Sequence, residues 1–112
     1  MYTAQGLWTA AHHRAKVLFI ICNNRQYRIV KHRLHLYQGA AAANAKYYGV
    51  ELREPEIDFA ELGRSLGLWT MRVEHPADVI DAMRRAFQQE GPALLDVLVE
   101  GSYPEDSVPK TA

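Results

Sequence analysis

The sequence predicts a small α/β protein, a three-layer sandwich with a short parallel sheet between helices. Two near-continuous apolar runs, Val17–Cys22 and Ala93–Val99, are typical of strands buried on both faces of a parallel sheet. Segments with helical periodicity alternate with the strands in the order α-β-α-loop-α-β-α-β, as in folds that place helices on both faces of a sheet. The length of 112 residues is enough for one core and too short for two.

The composition is that of an ordinary globular domain, with 48% apolar and 23% charged residues. The single cysteine, Cys22, excludes a disulfide framework within the chain. Its place inside an apolar run favours a core position over a nucleophile. No segment has the length of a membrane span or the pattern of a secretory signal. We therefore expect a cytoplasmic protein.

Charge is divided unequally between the two halves of the chain. Residues 1–50 contain seven Lys and Arg and no acid, whereas residues 51–112 contain all 13 acids and six bases. Two interpretations remain open. The basic half could attract phosphate, on nucleic acid or on a cofactor. Alternatively, the two halves neutralise each other within the fold or across a subunit contact.

The first half of the chain predicts two helices on either side of a strand. Tyr2–His13 has apolar residues at helical spacing and is rich in alanine. The strand Val17–Cys22 should end at Asn23-Asn24, because asparagine tolerates turn geometry and competes for backbone partners. Arg25–Tyr37 has an apolar stripe typical of a second helix. Ligands of parallel sheets bind beyond the carboxyl ends of the strands, so the two asparagines face the expected binding site.

After an irregular segment, Gly39–Pro55, the chain predicts a helix with clear end signals. Asp58 can cap its first turn, with Glu61 three residues later as in a capping box. Gly67 suits the position after its last turn. Trp69–Val73 then reads as the second strand.

A last helix and strand complete the predicted order. Proline suits a first helical position, so Pro76 should open the helix. Its predicted apolar face comprises Val79, Ile80, Met83, Ala86 and Phe87. Asp96 interrupts the last strand, Ala93–Val99, and is either a satisfied structural carboxylate or a residue at the sheet edge. We expect residues 1–100 to form the domain and residues 101–112 a tail.

Most motifs of enzyme chemistry are missing from the sequence. There is no Ser-His-Asp order, Cys-His pair, phosphate-binding loop or glycine-rich dinucleotide motif, and the five histidines do not have the spacing of a metal site. The remaining candidate is Asn23-Asn24 at the strand end. An amide oxygen is a hard ligand that suits Mg²⁺ beside carboxylates and phosphates, and a carbonyl of the following turn can contribute. An ordinary polar turn is the alternative.

Two long segments carry a resemblance to one family. LWTAAHHRAKVLFIICNNRQYRIVK resembles the second half of the cofactor-binding motif of thiamine diphosphate-dependent enzymes, especially the benzoylformate decarboxylase and acetolactate synthase group. EPEIDFAELGRSLGLWTMRVEHPADVIDAMRRAFQQEGPALLDVLVE is similar to the closing helix, strand, helix and strand of that family. The resemblance covers residues 2–100 and implies a partial thiamine diphosphate-binding fold.

The resemblance also implies a binding site. In the family, an Asp of a Gly-Asp-Gly, the second Asn of the motif and a backbone carbonyl two residues later hold Mg²⁺, which binds the diphosphate. The matching positions are Asn24 and the carbonyl of Gln26, and Tyr27 falls at the turn that lines the cofactor. Thiamine diphosphate and Mg²⁺ are therefore the expected cofactors. No catalytic residue is expected in this chain.

The function implied by the resemblance is the carboxy-terminal part of a 2-oxo acid decarboxylase or carboligase. Such a parent is an enzyme and a homo-oligomer, because the family's cofactor lies between subunits. The Gly-Asp-Gly is absent from this sequence, so we expect the chain alone to be inactive, to bind cofactor weakly or not at all and to associate through an unpaired strand edge. The alternative is a stand-alone α/β module that binds an anionic partner such as nucleic acid.

Overall fold

The computed structural model describes residues 3–38 and 49–101. Its helices and strands, in chain order, are α1 (Gln5–His12), β1 (Leu18–Asn23), α2 (Arg28–Gln38), α3 (Phe59–Ser65), β2 (Trp69–Val73), α4 (Val79–Phe87) and β3 (Ala93–Leu98). The predicted order of elements is confirmed. The chain divides into two compact units, one of Met1–Asn23 with Asp58–Val99 and one of Asn24–Ile57 with Glu100–Ala112.

The first unit contains a three-stranded parallel sheet in the order β1-β3-β2. Both outer strands pair with β3 in a regular register. Asp96 of β3 lies opposite Ile21 of β1 and Arg72 of β2. The predicted parallel sheet is therefore confirmed, and β3 is its central strand.

Helices cover both faces of this sheet, as the three-layer prediction requires. On one face, Ala82 and Ala86 of α4 pack with Val73 of β2 and with Ala93 and Leu95 of β3 in the buried core. On the other face, α3 approaches so closely that a Cβ atom built on Gly63 would lie 2.9 Å from Thr70 Cγ2 and 3.3 Å from Leu94 Cδ1. The absence of a side chain at residue 63 thus sets the spacing between α3 and the sheet.

The prediction that the first apolar run is buried on both faces is wrong. Among the described residues β1 has one neighbouring strand, and the residues of β1 are mostly half-buried or exposed. Ile20 is 48% exposed, and Cys22 is exposed rather than part of the core. An apolar run indicates a strand but does not distinguish the edge of a sheet from its centre.

The prediction for the apolar face of α4 is partly wrong. Ala86 is buried as expected, but Ile80 and Phe87 are 63% and 62% exposed. Ala82, which the prediction omitted, is completely buried. Small side chains occupy the line of closest approach between helix and sheet, so alanine rather than the larger residues marks the packed face.

The Asp58 cap and the Gly67 end of α3 are confirmed, whereas the Glu61 carboxylate pairs with Arg64 instead of completing the capping box. Asp58 Oδ1 accepts a hydrogen bond from the Glu61 N–H at 2.8 Å, which satisfies a donor of the first turn. At the other end Gly67 has φ +92°, and the Leu68 N–H donates to the Gly63 carbonyl at 3.1 Å. This arrangement closes the helix as a Schellman motif.

Several predicted boundaries change. The first helix begins at Gln5, and Asn23 belongs to β1 instead of to the turn after it. A short 3-10 turn, Pro76–Asp78, precedes α4, so proline begins that turn rather than the α-helix. Residues 39–48 of the predicted irregular segment and residues 102–112 of the predicted tail lie outside the described residues. None of the described helices has the length and apolar character of a membrane span.

Candidate functional site

The chain after β1 forms a tight turn. Asn24 Oδ1 accepts a hydrogen bond from the Gln26 N–H at 3.2 Å, and Arg25 between them has φ +58°. A side chain that bonds the backbone two residues later is an Asx turn, which asparagine favours. Helix α2 therefore begins at Arg28 and not at Arg25 as predicted, because the three intervening residues are held in this turn and in the pairing that follows it.

Backbone pairing holds the turn within the second unit. Gln26 and Glu51 form an antiparallel bridge. The Tyr27 N–H donates to the Val50 carbonyl at 2.7 Å, and the Leu52 N–H donates to the Arg25 carbonyl at 2.8 Å. One backbone hydrogen bond on each side of Gln26 fixes the orientation of this residue.

Ion pairs join the same two segments. Arg25 Nε lies 3.0 Å from Glu56 Oε1, and Lys31 Nζ lies 2.6 Å from Glu51 Oε1. The Lys31 ammonium donates a hydrogen bond to Glu51 and holds the pKa of that carboxyl below its usual value. Bases of the first half of the sequence thus meet acids of the second half, which favours the interpretation that the two halves neutralise each other.

Two oxygen atoms of the turn suit a hard cation. Asn24 Oδ1 holds one N–H and keeps a lone pair, and the Gln26 carbonyl accepts no hydrogen bond among the residues that the structure describes. Amide and carbonyl oxygens are ligands for Mg²⁺, which usually also takes one or two carboxylates, water and phosphate oxygens. In residues 3–38 and 49–101 no cluster of three His, Cys, Asp or Glu forms a metal site. The turn therefore fits Mg²⁺ as the source of two neutral ligands.

Gln26 is fixed by its side chain as well as by its backbone. Its Nε2 donates a hydrogen bond to the Gly101 carbonyl. A Cβ atom built on Gly101 would lie 2.6 Å from that Nε2 and 3.0 Å from the Asn24 carbonyl oxygen. Gly101 thus lies directly against the turn. No feature of the sequence indicated this contact, since Gly101 falls in the segment that predicts a tail.

The structure brings together the residues that the sequence selected. Asn24 and Gln26 share the Asx turn, and Tyr27 follows at once, half-buried, with its carbonyl accepting the Lys31 N–H at 3.0 Å. Tyr27 thereby begins the hydrogen bonding of α2. Its role in lining a cofactor remains a prediction.

A separate polar cluster lies in the first unit and was not predicted. Asp96 is completely buried in the central strand, and neither of its carboxylate oxygens has a hydrogen bond of normal geometry among the described residues. Its place in the central strand excludes the sheet edge, while the Asn23 side chain and the Phe59 N–H both interact with its carboxylate, so the interpretation as a satisfied carboxylate stays a prediction. The only sequence signal for it is the interruption of an apolar run.

Burial raises the pKa of Asp96, because the charged form loses its hydration. The nearby Asn23 amide and Arg72 guanidinium lower the pKa by less than burial raises it. Arg72 Nη1 lies 3.6 Å from Asp58 Oδ2, and Arg72 Nε lies 3.3 Å from Glu74 Oε1. This cluster joins the two outer strands to the central one through polar groups.

Comparison with known proteins decides the family. The family described as thiamine pyrophosphate enzyme, C-terminal TPP binding domain, matches residues 1–97. The chain belongs to this family. Thiamine diphosphate is the cofactor of these thiamine pyrophosphate enzymes, and Mg²⁺ is its usual metal partner. The predicted resemblance and fold class are confirmed.

Relatives place this thiamine pyrophosphate enzyme domain near the acetolactate synthases. It is 32% identical over 100 residues to a Mycobacterium tuberculosis protein whose name describes an acetolactate synthase large subunit, IlvX, covering 88% of this chain and 19% of that protein. It is 29% identical over 115 residues to the acetolactate synthase of Bacillus subtilis, covering 98% of this chain and 19% of the relative. The chain thus spans about a fifth of the length of these relatives.

Solved structures of decarboxylases have the same fold. Benzoylformate decarboxylase from Polynucleobacter necessarius matches with a TM-score of 0.78 at 23% identity, over 93% of this chain and 18% of that one. A thiamine diphosphate-dependent 4-hydroxybenzoylformate decarboxylase from Rhodococcus jostii matches with a TM-score of 0.70 at 25% identity, over the same shares. The fold of this domain is therefore that of thiamine diphosphate-dependent enzymes.

Proposed function

We propose that this domain supplies the Mg²⁺- and diphosphate-binding side of a thiamine diphosphate site, with Asn24 Oδ1 and the Gln26 carbonyl as metal ligands and Tyr27 beside the cofactor. The observation that carries the proposal is the Asx turn. It directs the Gln26 N–H to Asn24 and leaves the Gln26 carbonyl without a hydrogen-bond donor among the described residues. Membership of the thiamine pyrophosphate enzyme family supports the same assignment.

The names of the relatives support a proposal for the reaction of the whole enzyme. Their names describe acetolactate synthases, a benzoylformate decarboxylase and a 4-hydroxybenzoylformate decarboxylase, so we propose a 2-oxo acid decarboxylase or carboligase that acts as a homo-oligomer. When bound, thiamine diphosphate supplies the electron sink for a bond next to a carbonyl. The part of this chain is to bind and orient the diphosphate through the metal. Family membership favours this function over the nucleic-acid module.

Paramagnetic broadening tests the proposed ligands in the chain as it stands, even where affinity is weak. Mn²⁺ accepts the oxygen ligands that Mg²⁺ accepts, and it broadens NMR signals of nearby nuclei. Titration with Mn²⁺ and thiamine diphosphate should broaden the amide signals of Asn24, Gln26 and Tyr27 first. Asn24→Ala should remove this effect, and Asn24→Asp should strengthen it, because a carboxylate is a better ligand for a hard cation.

Gln88→Ala provides a matched control, since it removes an exposed amide from the end of another helix. Its broadening pattern should equal that of the unaltered chain. Broadening that is spread over the acidic surface residues and is unchanged by Asn24→Ala would overturn the assignment.

A further inference from the structure

The backbone N–H and the side-chain Nε2 of Gln26 are both bonded, and its backbone carbonyl is left available among the described residues. Its N–H is taken by Asn24 Oδ1 and its side-chain amide by the Gly101 carbonyl. The flanking residues, Arg25 and Tyr27, are held by backbone hydrogen bonds to Leu52 and Val50. The hydrogen bonds of Gln26 and of its two neighbours thus fix the direction of the Gln26 carbonyl. The carbonyl itself accepts no hydrogen bond among the described residues.

Residue 101 is a glycine for reasons of space. The φ angle of Gly101 lies outside the left-handed region that favours glycine, in contrast to those of Gly49 and Gly67. The constraint is instead the short approach to Gln26 Nε2 and to the Asn24 carbonyl oxygen. A methyl group at 2.6 Å from Nε2 would expel the Gln26 side chain from its hydrogen bond and press on the backbone of Asn24.

We propose that Gly101 and the Gln26 side chain are positioning residues for the metal site. Their hydrogen bond, the Gln26–Gly101 contact, holds the Asn24 side chain and the Gln26 carbonyl in the orientation that binds the cation. This inference rests on the proposed function, because it assumes that those two oxygens are ligands. It goes beyond that function by assigning a role to Gly101 and to the Gln26 side chain.

The Gln26–Gly101 contact supplies no metal ligand itself. It orients the two oxygen atoms that are the proposed ligands. Gln26→Ala keeps the backbone carbonyl and removes only the side chain that orients it. Groups that orient metal ligands typically change metal affinity by about 10- to 100-fold when they are removed. We expect both Gln26→Ala and Gly101→Ala to weaken Mn²⁺ binding at the turn by about tenfold.

A double-mutant cycle distinguishes this role from two unrelated effects. If both changes break the same contact, Gln26→Ala combined with Gly101→Ala should weaken binding no more than either alone. Gly91→Ala is the matched control, because a Cβ atom at Gly91 meets no atom within 4 Å. It should bind Mn²⁺ as the unaltered chain does.

The experiment measures the dissociation constant of Mn²⁺ from the broadening of the Asn24 and Gln26 amide signals. The titration contains thiamine diphosphate and is run at a temperature where every variant is fully folded. Hydrogen exchange of the Gln26 N–H is measured on the same samples. If the contact positions the ligands, Gln26→Ala and Gly101→Ala should bind Mn²⁺ more weakly, and the Gln26 N–H should exchange faster than in the unaltered chain. A merely structural role would lower the urea midpoint without a selective change in the dissociation constant, and that result would overturn the proposal.

The two proposals fail in different ways. If Asn24→Ala abolishes the broadening while Gly101→Ala and Gln26→Ala bind Mn²⁺ normally, the ligand assignment stands and the positioning role is overturned. If the unaltered chain has no selective broadening at the turn, the assignment and the positioning role are overturned together.

Discussion

The strands β1 and β3 have almost the same apolar character and opposite surroundings. β3 pairs on both edges, and its first four residues are buried. Within the part of the chain that the structure describes, β1 pairs on one edge, and of its six residues Asn23 alone is buried. Ile20 and Leu95, which face each other in the register, are 48% and 0% exposed. The place of a strand in the sheet, rather than its apolar content, therefore decides how much of it is buried.

The two strands should differ most in the stability that is lost when Ile20 or Leu95 is shortened to alanine. Leu95→Ala leaves a cavity in the core beneath α4 and should lower the free energy of unfolding by about 2–5 kcal/mol. Ile20→Ala removes a half-exposed side chain and should cost less than about 1.5 kcal/mol, because less apolar area leaves water on folding. Urea unfolding of both variants measures the two values. Equal losses would mean that the edge strand is buried in solution by another surface.

Glycines in the helices α1 and α3 allow a second comparison of open and close packing. Gly63→Ala in α3 sets a methyl group against Thr70 and Leu94 and should destabilise the fold by about 1–3 kcal/mol. Gly6→Ala in α1 meets no atom within 4 Å and should stabilise it by up to about 1 kcal/mol, since alanine favours helix. Thermal unfolding of both variants compares them. A loss of stability in Gly6→Ala would contradict the open packing of α1.

The contribution of β3 to stability should depend on pH, because β3 contains the ionisable Asp96. The register partner of Asp96 in β1 is Ile21, which cannot ionise. The pKa of Asp96 is higher in the folded chain than its usual value of 3.8. The stability that its protonated form contributes is therefore present below pH 3.8 and is lost as the pH rises through the folded-state pKa. Asp96→Asn remains neutral and should be more stable than the unaltered chain at pH 7, with a difference that shrinks toward pH 4.

Urea unfolding between pH 4 and pH 7 measures this difference. Glu90→Gln is the matched control, because Glu90 is exposed, and its stability should differ little from that of the unaltered chain at any pH in the range. If Asp96→Asn were less stable at pH 7, the charged form would be the one that the fold requires, held by Arg72 and Asn23.

Local patterns in the sequence were sufficient for the elements and for the turn that contains the proposed ligands Asn24 and Gln26. Capping by Asp58, the left-handed Gly67 and the alternation of strands and helices depend on a few adjacent residues, and each is confirmed. Asn24 and Gln26 are two residues apart, so one turn brings them together.

Long-range contacts were not predictable from such patterns. Strand order depends on which strands meet in space, and hence the exposure of β1 was missed. Ala82 was missed because helix–sheet spacing, not hydrophobicity, selects small residues at closest approach. The contact between Gln26 and Gly101 joins residues 75 positions apart, and a glycine required for space has no local signature when its φ angle is ordinary.

The parallel pairing of β1 with β3 also bears on how the chain folds. β2, α4 and β3 follow one another directly, whereas β1 must reach β3 across most of the sequence. Pairing of distant segments is slow, because loop closure costs entropy before contacts compensate for it. The carboxy-terminal βαβ segment can therefore form first and present the edge of β3 as a template. Until β1 occupies that edge, both apolar runs are open to neighbouring chains, and dilution during refolding should favour the native pairing.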